Sequence, residues 1–266
     1  MSYHIVVCGS IVPDPLQTLT PVDGPQGPAL KNEMMLPAVL DPWAGHALFE
    51  AANLAKTLGG DCKVWLVSLG PKAKLQQVMM AVAQKAPFQF VAVDGPASGF
   101  TDSFAVAESL AQAIENIPGL DKGKLLLFGG WQSASRGSGS TIQMVAERLG
   151  IVDQFQGVDK LTVTDNGLEV LERVEGGAWL ASRVEGAPAA FGWATGELPE
   201  PPNNPQVGMM NMKSIMPALQ QAKPAQPGTG FKVRGVAVPQ VVRETRIVKD
   251  MAVDDIAREL VDWIKA

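Results

Sequence analysis

Apolar and polar positions follow two different rhythms along this chain, and the change falls near Gly150. Before it, short continuous apolar runs alternate with stretches whose apolar residues recur every three to four positions. "HIVVC" (His4–Cys8), "CKVWLVSLG" (Cys62–Gly70), "FQFVAV" (Phe88–Val93) and "KLLLF" (Lys124–Phe128) are the runs. Continuous apolar runs of this length predict strands buried on both faces, as in a parallel sheet. Between them, "DPWAGHALFEAANLAKTLGG", "KLQQVMMAVAQ" (Lys74–Gln84), "TDSFAVAESLAQAIENI" (Thr101–Ile117) and "IQMVAERLG" (Ile142–Gly150) predict helices. The first opens with Asp41 as N-cap and a proline at the first helical position. Ala47, Ala51, Leu54, Ala55 and Leu58 then share one face, and Gly59-Gly60 ends it. Strand and helix in alternation define an α/β domain with helices on both faces of a parallel sheet. The Pro/Gly-rich stretch from Ile11 to Leu40 is too long for a simple connection, and reads as a functional loop or interface arm.

Past Gly150, "KLTVTDNGLEVLERVEGGAWLASRVEG" carries turn signals between alternating runs. It predicts an antiparallel β excursion of two or three strands, with Asn166-Gly167 as a hairpin turn. "APAAFGWA" (Ala187–Ala194) predicts one more strand. "TGELPEPPNNPQVGMMNMKS" is too proline-rich for regular structure and reads as a long loop before a short helix, "SIMPALQQA". An extended arm follows, closed by "VDDIARELVDWIKA", where Ile256, Ala257, Leu260 and Ile264 form one apolar stripe. That helix packs either on its own domain or on a partner. The expected division is an α/β nucleotide-binding domain over residues 1–225 and a C-terminal arm over 226–266.

Composition narrows the function. A net charge of −5 disfavours nucleic acid or an anionic membrane as the main partner. No apolar run approaches the length of a membrane span. "MSYHIVVCGSIVPDP" runs from strand into prolines and has no charged segment ahead of a long apolar one, so it does not read as a signal peptide. Cys8 and Cys62, both in apolar runs, read as buried thiols of a reducing compartment, and the expected location is cytoplasmic. With only His4 and His46, neither beside a cysteine pair, a zinc site is not expected. The chain has 20 prolines and 11 methionines. They cluster between Pro188 and Pro227, marking that region as something other than packed core.

The chemistry-bearing stretch is "GGWQSASRGSGST" (Gly129–Thr141), a loop of small residues between a strand and a helix. That order presents backbone N–H groups to a phosphate. It is not a P-loop, because "GSGST" has no lysine and Arg136 is the nearby cation. Nor is it a Rossmann fingerprint: Ile142 occupies the third glycine position, and the loop follows the fourth predicted strand. What remains is an anion seat or a capped Gly/Ser turn. No Ser-His-Asp or Cys-His set and no paired-carboxylate motif stands out, so the chain reads as a nucleotide holder without catalytic residues.

Several islands in order resemble the β subunit of electron transfer flavoproteins: "HIVVCGSIVPD", "DPWAGHALFEAANL", "VSLGP", "GWQSASRGSGSTIQM", "LERVEGG" (Leu171–Gly177) and "PAAF" (Pro188–Phe191). The resemblance spans roughly residues 4–220. It implies an adenine-nucleotide α-hydrolase-like α/β domain that pairs with an α subunit. FAD is then shared with that subunit, which holds most of it, and a structural AMP sits in this chain. The pair would carry electrons from a flavin-dependent dehydrogenase to a quinone-linked oxidoreductase or another acceptor. By position, the AMP seat would draw on Cys8, Asp41, Ser68, Leu69 and Gly70. It would also use the loop residues Gly130, Trp131, Gln132, Arg136, Gly137, Ser138, Gly139, Ser140 and Thr141.

Trp43 stands where the family has an aromatic residue facing the partner's flavin, and equally reads as a core tryptophan. Trp131 replaces a usual lysine and would either stack on adenine or fill the pocket. The family's partner-recognition segment corresponds to residues 195–213, with Leu198 as anchor and Met209, Met210 and Met212 as an adaptable apolar patch. The alternatives are a stand-alone adenine-nucleotide sensor of the same class, or an electron-bifurcating variant with a second FAD in this chain. An adenylating enzyme is disfavoured, because "CGSIVPD" lacks a glycine-rich pyrophosphate loop.

Overall fold

A computed structural model describes residues 2–25, 27–59, 61–96, 100–226, 234, 242 and 244–265. Gly60 and most of the expected arm between residues 227 and 243 lie outside the described residues. The chain divides into two compact units, Met1–Val236 and Ala237–Ala266.

The first unit opens with β1 (His4–Cys8), β2 (Ile11–Pro13), β3 (Pro21–Gly24), β4 (Gly27–Leu30) and β5 (Ala38–Leu40). Next come α1 (Pro42–Leu58), β6 (Lys63–Gly70), α2 (Lys72–Val82), β7 (Gln89–Asp94) and α3 (Ser103–Glu115). Then follow β8 (Leu125–Gly130), α4 (Thr141–Arg148), β9 (Asp153–Thr164), β10 (Gly167–Arg173), β11 (Trp179–Val184) and β12 (Ala189–Trp193). The unit closes with α5 (Pro205–Gln221) and β13 (Lys223–Pro224). The main sheet runs β11-β10-β9-β12-β8-β1-β6-β7-β13. From β9 to β13 every neighbouring pair is parallel, and β9, β10 and β11 form the antiparallel excursion.

Alternate residues of the central strands feed two cores, because successive strand side chains point to opposite faces. Ile5, Val7, Leu66, Leu126 and Phe128 pack with Leu48 of α1, Met79 of α2 and Ile215 of α5. Val6, Val67, Leu125 and Leu127 pack with Leu110 and Ile114 of α3 and Val145 of α4. A sheet covered on both sides explains why its strands read as unbroken apolar runs.

Within the stretch from Ile11 to Leu40 lie two small antiparallel pairs, β2 with β5 and β3 with β4. Two local expectations are corrected. The hairpin turn sits at Asp165-Asn166, one residue earlier than expected, and Gly167 already pairs with Thr164. The proline-rich loop is shorter than expected, because α5 begins at Pro205 and takes in Met209, Met210 and Met212. Asn204 caps that helix, accepting from the N–H groups of Gln206 and Val207, and Pro205 occupies a position whose N–H needs no partner. Asn211 then pins α5 to the turn before β7. Its Oδ1 accepts from the Phe88 N–H at 3.1 Å, and its Nδ2 donates to the carbonyls of Ala83 and Ala86 at 2.7 Å each.

In the second unit the described helix is α6 (Val253–Lys265), with Asp254 and Asp255 in the first turn and Lys265 in the last. That distribution complements the helix dipole. Ile256, Leu260, Trp263 and Ile264 are all exposed on it. No described helix is long and apolar enough to cross a membrane.

Candidate functional site

β1 pairs with β6 on one side and β8 on the other, so the chain reverses its direction of travel across the sheet at β1. Such a switch point leaves a crevice beyond the carboxyl ends of the strands, where α/β sheets bind ligands. In register, Cys8 stands beside Val67 and Gly129. A pocket opens there, floored by Cys8, Gly9 and Gly129 and walled by the loop that precedes α4.

Ten of the residues expected at an AMP seat line this pocket: Cys8, Asp41, Leu69, Gly130, Gln132, Arg136, Ser138, Gly139, Ser140 and Thr141. Trp43, Ser68, Gly70, Trp131 and Gly137 do not. Ser68 is fully buried, with its hydroxyl unpartnered. Trp43 is half-buried, its Cβ packed close to Gly130. Trp131 donates its backbone N–H to Trp193 O at 3.0 Å, and its ring lies 3.4 Å from where a Cβ on Gly157 would be. Sequence reasoning missed the other walls, among them Ser10, Ile11, Ala44, Pro96, Val106 and Leu110. They come from four separate segments, and nothing in their own surroundings distinguishes them from core or turn residues.

Asp41 joins two parts of the site. As N-cap of α1 its Oδ1 accepts from the Trp43 N–H at 3.1 Å, while Oδ2 accepts from the Ala134 N–H at 2.8 Å. The loop before α4 is thereby tied to the start of α1. Burial pushes the Asp41 carboxyl up, opposed by the bonds from Ala134, Trp43, Ser133 and Ala44. Gly139 is a second fixed point. Its φ of 65° is left-handed, and a Cβ there would lie 2.9 Å from Trp131 O. Only glycine takes that turn without strain.

Arg136 reaches between the starts of two helices, donating from Nη1 to Thr101 O at 3.4 Å and from Nη2 to Thr141 Oγ1 at 3.5 Å. Its Nε is buried without a partner. Burial lowers its pKa, and Asp41 and Asp102 oppose that shift. Ser140 stands at the N-cap of α4 but makes no side-chain capping bond. Its hydroxyl meets that of Ser138 at 3.2 Å, and Ser138 meets Ser103 at 3.3 Å. An uncapped helix start, a cluster of hydroxyls and an unpartnered guanidinium N–H are the donor set of a phosphate. Ile11, Leu69, Val106, Leu110 and Ile142 supply apolar wall suited to a flat base. The residues present therefore fit a nucleotide.

Cys8 is buried beside this seat, and burial pushes its thiol up to about 12. It is a neutral wall residue, because nucleophilic chemistry needs the thiolate. Among the described residues, no group of three His, Cys, Asp or Glu side chains stands close enough to hold a metal ion.

The fold and pocket define an α/β protein with its candidate site at the carboxyl edge of a mostly parallel sheet. The model of the electron transfer flavoprotein domain matches residues 32–223, most of the chain. The chain belongs to that family. No curated protein matches it.

Proposed function

We propose that this chain is a β-type subunit of an electron transfer flavoprotein, which holds AMP in the pocket beyond β1 and β8 and shares FAD with an α-type subunit. The observation that carries the nucleotide half is the donor set around Arg136: a buried Nε without a partner, on a side chain that reaches Thr141 at the start of an uncapped α4. Arg136, Ser138, Ser140 and Thr141 would hold the phosphate, and Ile11, Leu69 and Val106 would flank the base. Asp41 would act indirectly, by holding the Ser133–Arg136 stretch in place. A bound phosphate there removes the cost of an unsatisfied helix start, so the nucleotide acts as a structural part. Bound FAD supplies the one- and two-electron chemistry. This chain contributes nucleotide binding and surfaces for its partners.

Two features support the partner half. Ile256, Leu260 and Ile264 form one apolar stripe on α6, a pattern suited to a helix that packs on another subunit. Met209 and Met210, each 66% exposed on α5, give a polarisable surface for an electron donor, and Leu198 is half-buried. Met212 is half-buried against the core and plays a packing role there.

The test is to purify the chain with its α-type partner, denature the complex and separate the released nucleotides by chromatography. About one FAD and one AMP per heterodimer is the expected result. Two FAD would replace this reading with the bifurcating one. FAD without AMP would remove the structural nucleotide. Failure to form a heterodimer would leave the stand-alone sensor.

A further inference from the structure

After β12 the chain leaves the sheet and turns at Gly196, whose φ of 64° is left-handed. The turn aims two successive backbone N–H groups at one point. Those of Glu197 and Leu198 both donate to Oε1 of Glu50 on α1, at 2.9 and 3.3 Å. Consecutive N–H groups converging on an anion form a nest, an arrangement that binds carboxylate or phosphate oxygens. A Cβ at Gly196 would lie within the contact distance of Glu50, so the position admits glycine for space as well as for backbone angle.

The rest of the segment is held as closely. Lys160 pairs with Glu197 at 3.1 Å. Lys85 pairs with Glu200 at 2.6 Å and donates to Pro201 O at 3.2 Å. Asn204 donates its N–H to Gln84 O at 2.8 Å. Both acidic side chains of the segment are thus neutralised by lysines of the same unit. Between the ties stand the half-buried Leu198 and the exposed Pro199, Pro202 and Asn203.

We infer that Glu50 is a positioning residue, whose carboxylate in the nest of Gly196–Leu198 fixes Leu198 on a preformed surface for a partner protein. The inference rests on the reading above that residues 195–213 meet the electron donor. It adds that this surface exists before the partner arrives, so docking does not have to order it. A preformed surface avoids the entropic cost of ordering a loop on binding.

Amide hydrogen exchange on the free chain tests this directly. Glu50→Ala should speed exchange at Glu197 and Leu198 by about tenfold or more, the scale of a lost hydrogen bond to a charged acceptor. Glu50→Gln keeps an oxygen in the nest and should restore most of the protection. Gly196→Ala should lose it as Glu50→Ala does. Unchanged exchange in Glu50→Ala, or a glutamine variant as unprotected as the alanine one, would overturn the inference. Should the variants fail to fold, the wild-type chain gives a second readout: the Glu197 and Leu198 amide protons should move together with the Glu50 carboxyl carbon on acid titration. Amide shifts indifferent to Glu50 would overturn it equally. Neither measurement needs nucleotide or partner. Loss of protection with no bound AMP or FAD would therefore sink the carrier reading alone, and normal cofactors with an unprotected segment would sink the nest alone.

Discussion

Asp41→Ala removes a carboxylate that two parts of the pocket share. One bond lost is the α1 cap to the Trp43 N–H at 3.1 Å, a change that typically costs about 0.5–2 kcal/mol. The other loss leaves the Ala134 N–H without its 2.8 Å acceptor, for about 1–3 kcal/mol. Desolvation of the carboxylate works in the opposite direction, so the net expectation is about 2–4 kcal/mol of lost stability. In a domain of this size each kcal/mol moves Tm by about 2–4 °C, which predicts a drop of about 5–15 °C in a thermal scan. Calorimetric titration with AMP should show affinity weakened at least about tenfold, because the loop that carries Arg136 is released from α1. Asp41→Asn should fall between the two proteins, keeping one acceptor for the cap but setting an NH2 group against the other donor.

The pH dependence supplies a separate check. Burial holds the folded carboxyl above its ordinary value of 3.8, so the folded state binds more protons than the unfolded state just above that value. This group's contribution therefore diminishes as pH rises through the folded pKa, and the gap between wild type and Asp41→Ala should widen on acidification. A variant with wild-type Tm and wild-type AMP affinity would refute the assignment of Asp41 as the joint between α1 and the loop.

Other variants address the neighbouring claims. Arg136→Ala should weaken AMP binding by about tenfold to a hundredfold in the same titration, the scale of a hydrogen bond to a charged group, with little change in Tm. Trp131→Phe should leave AMP affinity unchanged, because the ring lies against Gly157, outside the pocket lining; a loss of affinity would place it at the base. His4 is buried, and its Nδ1 accepts from the Asp121 N–H at 2.8 Å, so the neutral ring is the folded form. Burial, then Lys63, lower its pKa, so its contribution is present above the ordinary value of 6.5 and is lost as pH falls through the folded value. Denaturant midpoints between pH 7.5 and 5 should therefore fall more for wild type than for His4→Asn. Asn211→Ala strands one buried N–H and two buried carbonyls and should cost about 2–4 kcal/mol by urea unfolding.

The architecture was legible because a buried parallel sheet leaves a strong mark. Four of its inner strands, β1, β6, β7 and β8, appear as the four continuous apolar runs, and the helix starting after Asp41 is announced by its own cap and proline. The site was legible in part for a related reason. A loop of glycines and hydroxyls between strand and helix carries its anion-binding chemistry in a single stretch of sequence, so Arg136, Ser138, Ser140 and Thr141 could be named together. The apolar walls could not. Pro96, Val106 and Leu110 join the pocket because α3 packs beside α4, and that contact has no local signature.

Sequence by itself determined the layered α/β plan, the helix caps and the composition of the anion loop, because each depends on neighbours a few residues apart. Tertiary structure decided the rest. Trp131 faces Gly157 because β9 brings a glycine to that spot. The stretch from Pro205 to Gln221 is helical despite Pro217, because Asn211 and a buried apolar face hold it against α2 and β7. Glu50 meets Leu198 across nearly 150 residues of chain, through a bond that neither residue's surroundings announce. Propensity acts over one turn or one pleat, whereas the energies that settle these three points come from desolvated contacts between distant segments, which only the folded chain brings together.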